Sequence, residues 1–87
     1  MKVRVDKHLR DALVQDFAKA LEARINQKGD LTFTNPFEGL GVLQIEVREL
    51  EDEIHARRNA GVQREAMDVA IAAFWMVMSA RLTGGED

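Results

Sequence analysis

Two acidic pairs of identical internal spacing, Glu46-x-x-Glu49 and Glu65-x-x-Asp68, stand fifteen residues apart in a chain of 87. In a helix, a three-residue step puts both members of a pair on one face, with Cβ atoms about 5–6 Å apart. Fifteen residues are enough to finish one helix, turn and begin the next, so two antiparallel helices can bring four carboxylates to one place. Four negative charges at such close quarters repel one another and need a cation. Hard divalent ions such as Mg²⁺ take oxygen ligands of this kind.

The first pair lies on a patterned segment. At 100° per residue, Leu40, Leu43, Val47, Leu50 and Ile54 form an apolar stripe roughly 80° wide, while Glu46, Glu49 and Glu53 fall within about 60° beside it. A solvated face would be centred further round, among Gln44, Arg48, Asp52 and His55. Carboxylates at the margin of a core are costly to desolvate unless something neutralises them. The alternative is a surface helix held by i,i+4 pairs such as Glu53–Arg57 and Glu51–His55. Such pairing serves Glu51 and Glu53. It leaves Glu46 and Glu49 facing Leu50 and Glu53. With eight glutamates in the chain, one E-x-x-E is close to chance, so the information is in the second pair and its placement.

The stretch Gly41-Val-Leu-Gln-Ile-Glu46-Val-Arg-Glu49-Leu-Glu-Asp-Glu53-Ile54, followed by Glu65-Ala-Met-Asp68, resembles the signature of MazG-like nucleotide pyrophosphohydrolases. That signature is an E-E-x-x-E followed, after a spacer, by E-x-x-D. The likeness covers close to half of the chain. Ile45 stands where the first glutamate of the doublet would be, and Phe37 where a subgroup has histidine. The resemblance implies an all-α domain that assembles as a dimer or dimer of dimers. It also implies Mg²⁺-dependent hydrolysis of a nucleoside triphosphate to monophosphate and pyrophosphate. Glu46, Glu49, Glu65 and Asp68 would hold the metal. Glu53, one turn beyond Glu49, is a candidate for orienting the attacking water. An aromatic such as Phe33, on a loop near such a site, could stack on a base.

Composition narrows the classes. A chain this short buries only about 60–65% of its unfolded surface. It has no cysteine, hence no disulfide or thiolate–metal framework. Association is a common remedy for so small a domain. A net charge of −3 argues against general binding of nucleic acid polymers. The polar start reads as no signal peptide, and the longest uncharged run, Val69 to Ala80, is too short to span a bilayer. These features point to a cytoplasmic protein. No P-loop and no convincing nucleophilic triad is present.

The elements that must position the acids follow from periodicity. Over residues 6–28, Leu9, Leu13, Phe17, Leu21 and Ile25 recur every four residues, and Gly29 suits a left-handed helix end. Leu31 and Phe33 are expected to anchor the loop that follows. Asn35-Pro36 with Glu38 forms a helix start with a capping box, opening a second helix over about 36–58. Gly39 and Gly41 would permit close approach of a neighbour. Arg57, Arg58, Asn59 and Gly61 read as its end, and Arg57, Arg58 and Arg64, near the turn, complement the helix terminus or meet substrate phosphates. His55 has no partner histidine and no ligand role. The last helix, about 62–82, is apolar on almost every side, so both sides should be covered. Trp75, Phe74, Met76 and Met78 read as packing groups, and the tail Thr83–Asp87 as frayed.

The expected molecule is therefore a single all-α domain over 1–87, three helices completed into a bundle by homo-oligomerisation. The rival is a non-catalytic helical oligomerisation or partner-binding protein of the same fold, for which Ile45 and the short chain after Asp68 speak.

Overall fold

A computed structural model describes residues 1–84, which contain three α-helices and no strand: α1 (Lys7–Lys28), α2 (Pro36–His55) and α3 (Asn59–Gly84). The all-α class is as expected. The chain divides into two compact units, Met1–Asp30 and a second beginning at Leu31.

In the first unit, the Asp6 carboxylate caps α1 by accepting from the Leu9 N–H at 3.2 Å. The helix ends at Gly29, whose φ of 88° is open to a residue without Cβ and whose N–H donates to the Ile25 carbonyl at 2.8 Å. No residue of α1 is buried, and Leu9 and Leu13, which open its apolar stripe, stay 54% and 47% exposed.

In the second unit, α2 starts where Asn35-Pro36 predicts. The Asn35 side chain accepts from the Glu38 N–H at 3.0 Å. The Glu38 carboxylate reaches one residue further back than a capping box requires and accepts from Thr34 N–H, also at 3.0 Å. The other end differs from expectation. The helix stops at His55, and the left-handed residue is Arg57, with φ of 59°. Arg57 N–H donates to the Ile54 carbonyl at 3.1 Å and Arg58 N–H to the Glu53 carbonyl at 3.2 Å, the paired bonds of a Schellman ending. Asn59 and Gly61 therefore belong to α3, which begins earlier than the spacing suggested and runs on through Thr83, whose hydroxyl donates to the Ser79 carbonyl at 2.7 Å. The expected fraying at Gly85–Asp87 concerns residues outside those described.

α2 and α3 form an antiparallel hairpin. At its open end Gly39 is buried against α3: a Cβ there would lie 2.9 Å from Met76 Cγ and 2.9 Å from the Phe33 ring. At the turn, a Cβ on Gly61 would overlap the Glu53 carboxylate. Gly41, two residues from Gly39, would meet nothing within 4 Å. Both close approaches keep one register, and that register sets Glu46 level with Asp68 and Glu49 level with Glu65. The loop before α2 is fastened to α3 by two bonds, Trp75 Nε1–H to the Leu31 carbonyl and Phe33 N–H to Ser79 Oγ, each 2.9 Å. Phe33 is half-buried as an anchor should be. Leu31 contributes its carbonyl only, because its side chain is 83% exposed.

The buried apolar core is small, Ile71 and Ala72. α3 is covered along its α2-facing side, while Phe74, Val77 and Leu82 remain exposed. Its 26 residues are also long and apolar enough to cross a membrane by length and composition, with mean hydropathy 1.3 over its most apolar 18-residue window. The uncharged twelve-residue run therefore understates how far its apolar character extends.

Candidate metal centre

Glu46 and Glu49 sit a helical turn apart on α2, and Glu65 and Asp68 a turn apart on α3. The hairpin register described above turns both pairs toward the same seam. Glu46, Glu49 and Glu65 each bring one carboxylate oxygen to within 4.8 Å of the others. Glu46, Glu65 and Asp68 are half-buried, whereas Glu49 opens to solvent. Three of the four acids singled out by spacing thus converge, from two helices. Asp68 is outside this tight group, yet its charge is felt there.

That influence is visible in Glu65. Burial raises its carboxyl above the ordinary value of 4.5, and the charges of Asp68 and Glu49 push the same way. Arg64, the preceding residue in the chain, opposes them through a hydrogen bond from Nε to Glu65 Oε1 at 3.5 Å. The opposition is too weak to reverse the shift. Glu65 Oε2 is buried and accepts no hydrogen bond. A buried carboxylate oxygen without a donor is costly in a native protein. It is the kind of atom a cation would satisfy.

The donor set suits such an ion. All groups are hard oxygens on side chains with freedom to adjust. Octahedral Mg²⁺ at about 2.0–2.1 Å from each ligand spaces its oxygens by roughly 3–4 Å, close to the separations available here.

Glu53 occupies a different place. Its Oε2 accepts from Arg58 Nε at 2.7 Å, and its Oε1 from Arg64 Nη2 at 3.4 Å. The Arg58 hydrogen bond, with the charges of Arg58 and Arg64, holds its carboxyl below the usual range. The carboxylate lies on the bare backbone of Gly61, and with Arg58 beyond the turn it locks the end of α2 to the start of α3. Both oxygens of the expected water-orienting residue are thus engaged by guanidinium groups. The expected i,i+4 partner of Glu53, Arg57, is instead the left-handed residue of the turn.

Two contributors escaped the sequence reading. Gly61 was assigned to the turn, though it shares a helical stripe with Glu65, Asp68 and Ala72, at steps of four, three and four. Arg64, near the turn in the sequence, links Glu53 and Glu65 only through the hairpin register. Ile45, beside Glu46, is 57% exposed.

No family model matches the sequence, and neither a curated protein nor a solved structure matches it.

Proposed function

We propose that this chain is a Mg²⁺-dependent pyrophosphohydrolase acting on nucleoside triphosphates in the cytoplasm, with Glu46, Glu49, Glu65 and Asp68 as the metal-holding residues. The observation that carries the proposal is the meeting of Glu46, Glu49 and Glu65 oxygens across the α2–α3 seam, with Glu65 Oε2 buried and without a donor. The resemblance of the two acidic pairs to the MazG-like signature supplies the reaction class. When bound, the metal would bind phosphate oxygens, lower the pKa of a coordinated water and offset charge in the transition state.

The chain's own contributions are positional. The hairpin holds the acids at one level, Gly61 and Glu53 fix the turn, and half-burial keeps the carboxylates from being fully solvated. Exposed Glu49 marks the side from which a polyphosphate would approach. Glu53 is a positioning residue in this scheme, since its oxygens are committed to Arg58 and Arg64. Self-association into a dimer or dimer of dimers would cover Phe74, Val77 and Leu82, which one chain leaves exposed.

Release of pyrophosphate from a panel of NTPs and dNTPs should require Mg²⁺ and should disappear in Glu49→Gln and in Asp68→Asn. Turnover that persists in both variants would remove the assignment. The exposed apolar side chains also favour a second reading, a non-catalytic assembly protein. It predicts no turnover, and no change in melting temperature with any divalent ion.

A further inference from the structure

Arg64 touches two carboxylates on two helices: Nη2 lies 3.4 Å from Glu53 Oε1 and Nε 3.5 Å from Glu65 Oε1. Both contacts are long for charge-assisted bonds, which run about 2.7–2.9 Å. Arg58, at 2.7 Å from Glu53, makes one of ordinary length. The Arg64 side chain is 61% exposed, while the side chains of Glu53 and Glu65 are each 14% exposed. An exposed cation on the rim thus leans over two sheltered acids at long range from each. Its Nε reaches Oε1 of Glu65, and Oε2 of the same carboxylate is left without a donor.

We propose that Arg64 is a resident counter-ion of Glu65 and competes with the divalent cation for it, so that metal entry requires its guanidinium to swing away. The inference rests on the metal-site reading above and concerns how that site is regulated. In the metal-free protein Arg64 supplies partial compensation for the repulsion among Glu49, Glu65 and Asp68. With the metal bound, the same positive charge sits close to a dication and opposes it. Glu53 gives the displaced side chain a place to rest, because Arg64 can keep its Nη2 contact there while releasing Glu65. The chain thereby weakens its own metal affinity and, in return, keeps a positive charge beside Glu65 when metal is scarce.

The test is titration of Mn²⁺ and Mg²⁺ into the full chain by calorimetry, for the parent, Arg64→Gln, Arg64→Lys and Arg58→Gln. A unit charge about 6 Å from a dication in a water-like dielectric changes binding by on the order of tenfold, less at physiological salt. Arg64→Gln should therefore bind either ion about three- to tenfold more tightly than the parent. Arg64→Lys, which keeps the charge, should stay near the parent, and Arg58→Gln should change affinity less than Arg64→Gln. Binding by Arg64→Gln alone, with none by the parent, would also support the competition. Equal affinity in the parent and Arg64→Gln, or weaker binding in the variant, overturns the role of Arg64 and leaves the metal site standing. No binding by any of the four proteins overturns the site and this inference with it.

Discussion

Two glycines in one helix allow the seam that holds the acids to be tested with an internal control. Gly39→Ala and Gly41→Ala make the same chemical change two residues apart in α2. Each should gain about 1 kcal/mol from the higher helix propensity of alanine. At Gly41 the new methyl meets nothing within 4 Å, so that gain should appear in full. At Gly39 the methyl would stand 2.9 Å from both Met76 Cγ and the Phe33 ring, and the hairpin must open or the two side chains must shift. Overpacking of this kind costs about 1–3 kcal/mol. Gly39→Ala should therefore lie between neutral and about 2 kcal/mol destabilising. The gap between the two variants, about 1–3 kcal/mol, is the packing cost alone. For a domain of this size that gap amounts to roughly 4–8 °C in Tm per kcal/mol. Urea denaturation followed by circular dichroism measures it directly, with the slope checked for constancy. Equal stability of the two alanine variants would refute the close approach of α2 to α3 at Gly39, and with it the register that faces Glu46 and Glu49 toward Glu65.

Other expectations concern the turn and the charges. Arg57→Gly should stabilise the chain by about 1 kcal/mol, since a left-handed conformation is unfavourable for a residue with a Cβ; a lower urea midpoint for this variant would contradict the turn geometry. Glu65 has its carboxyl raised above 4.5, so its contribution to stability is full below that pH and is lost as pH rises through the folded-state value. In metal-free buffer Glu65→Gln should then melt higher than the parent at pH 7, with the difference closing by pH 4. A difference that is unchanged across that range would show that Glu65 is not held in a charge-unfavourable place.

The start of α2 was legible because it is written in short-range chemistry, whereas α3 begins at Asn59, earlier than the spacing suggested. Asn35 fixes the start of α2 by accepting from residues three and four positions on, Pro36 suits the first turn by its fixed φ, and Gly29 marks the end of α1 by its freedom at positive φ. The end of α2 was not legible. Arginine carries no sign that it will adopt a left-handed conformation, and Gly61, four residues further on, looked like the natural breaker. Its absent side chain serves the approach of Glu53 instead. Each acidic pair was visible through helical spacing, whereas the meeting of Glu46 and Glu49 with Glu65 depends also on the hairpin register. Glu53 had been placed with them by angle around α2. Its pairing with Arg64, eleven residues away, follows from how far α3 slides along α2, and no local pattern encodes that. The same holds for the Trp75 bond to the Leu31 carbonyl.

The seam sets stability against function in one set of side chains. Apolar residues of similar volume in place of half-buried acids would commonly make a helical hairpin more stable. Among the described residues its buried apolar side chains are Ile71 and Ala72, so it has little core to offset the repulsion. A chain of this length is expected to have about 4–13 kcal/mol of net stability. A cation present at a hundred times its dissociation constant would add about 2.7 kcal/mol, a sizeable fraction of that total. The ion of the proposed hydrolysis would then also tie α2 to α3. Loss of a ligand should consequently lower both quantities together. Glu49→Gln, at the solvent-facing corner of the cluster, is the informative case, because its exposure makes a direct packing penalty small. If the metal-induced rise in Tm vanishes in that variant together with pyrophosphate release, one site performs both tasks. If the rise in Tm survives while turnover is lost, the ion that stabilises the hairpin is held elsewhere, and the two roles belong to different residues.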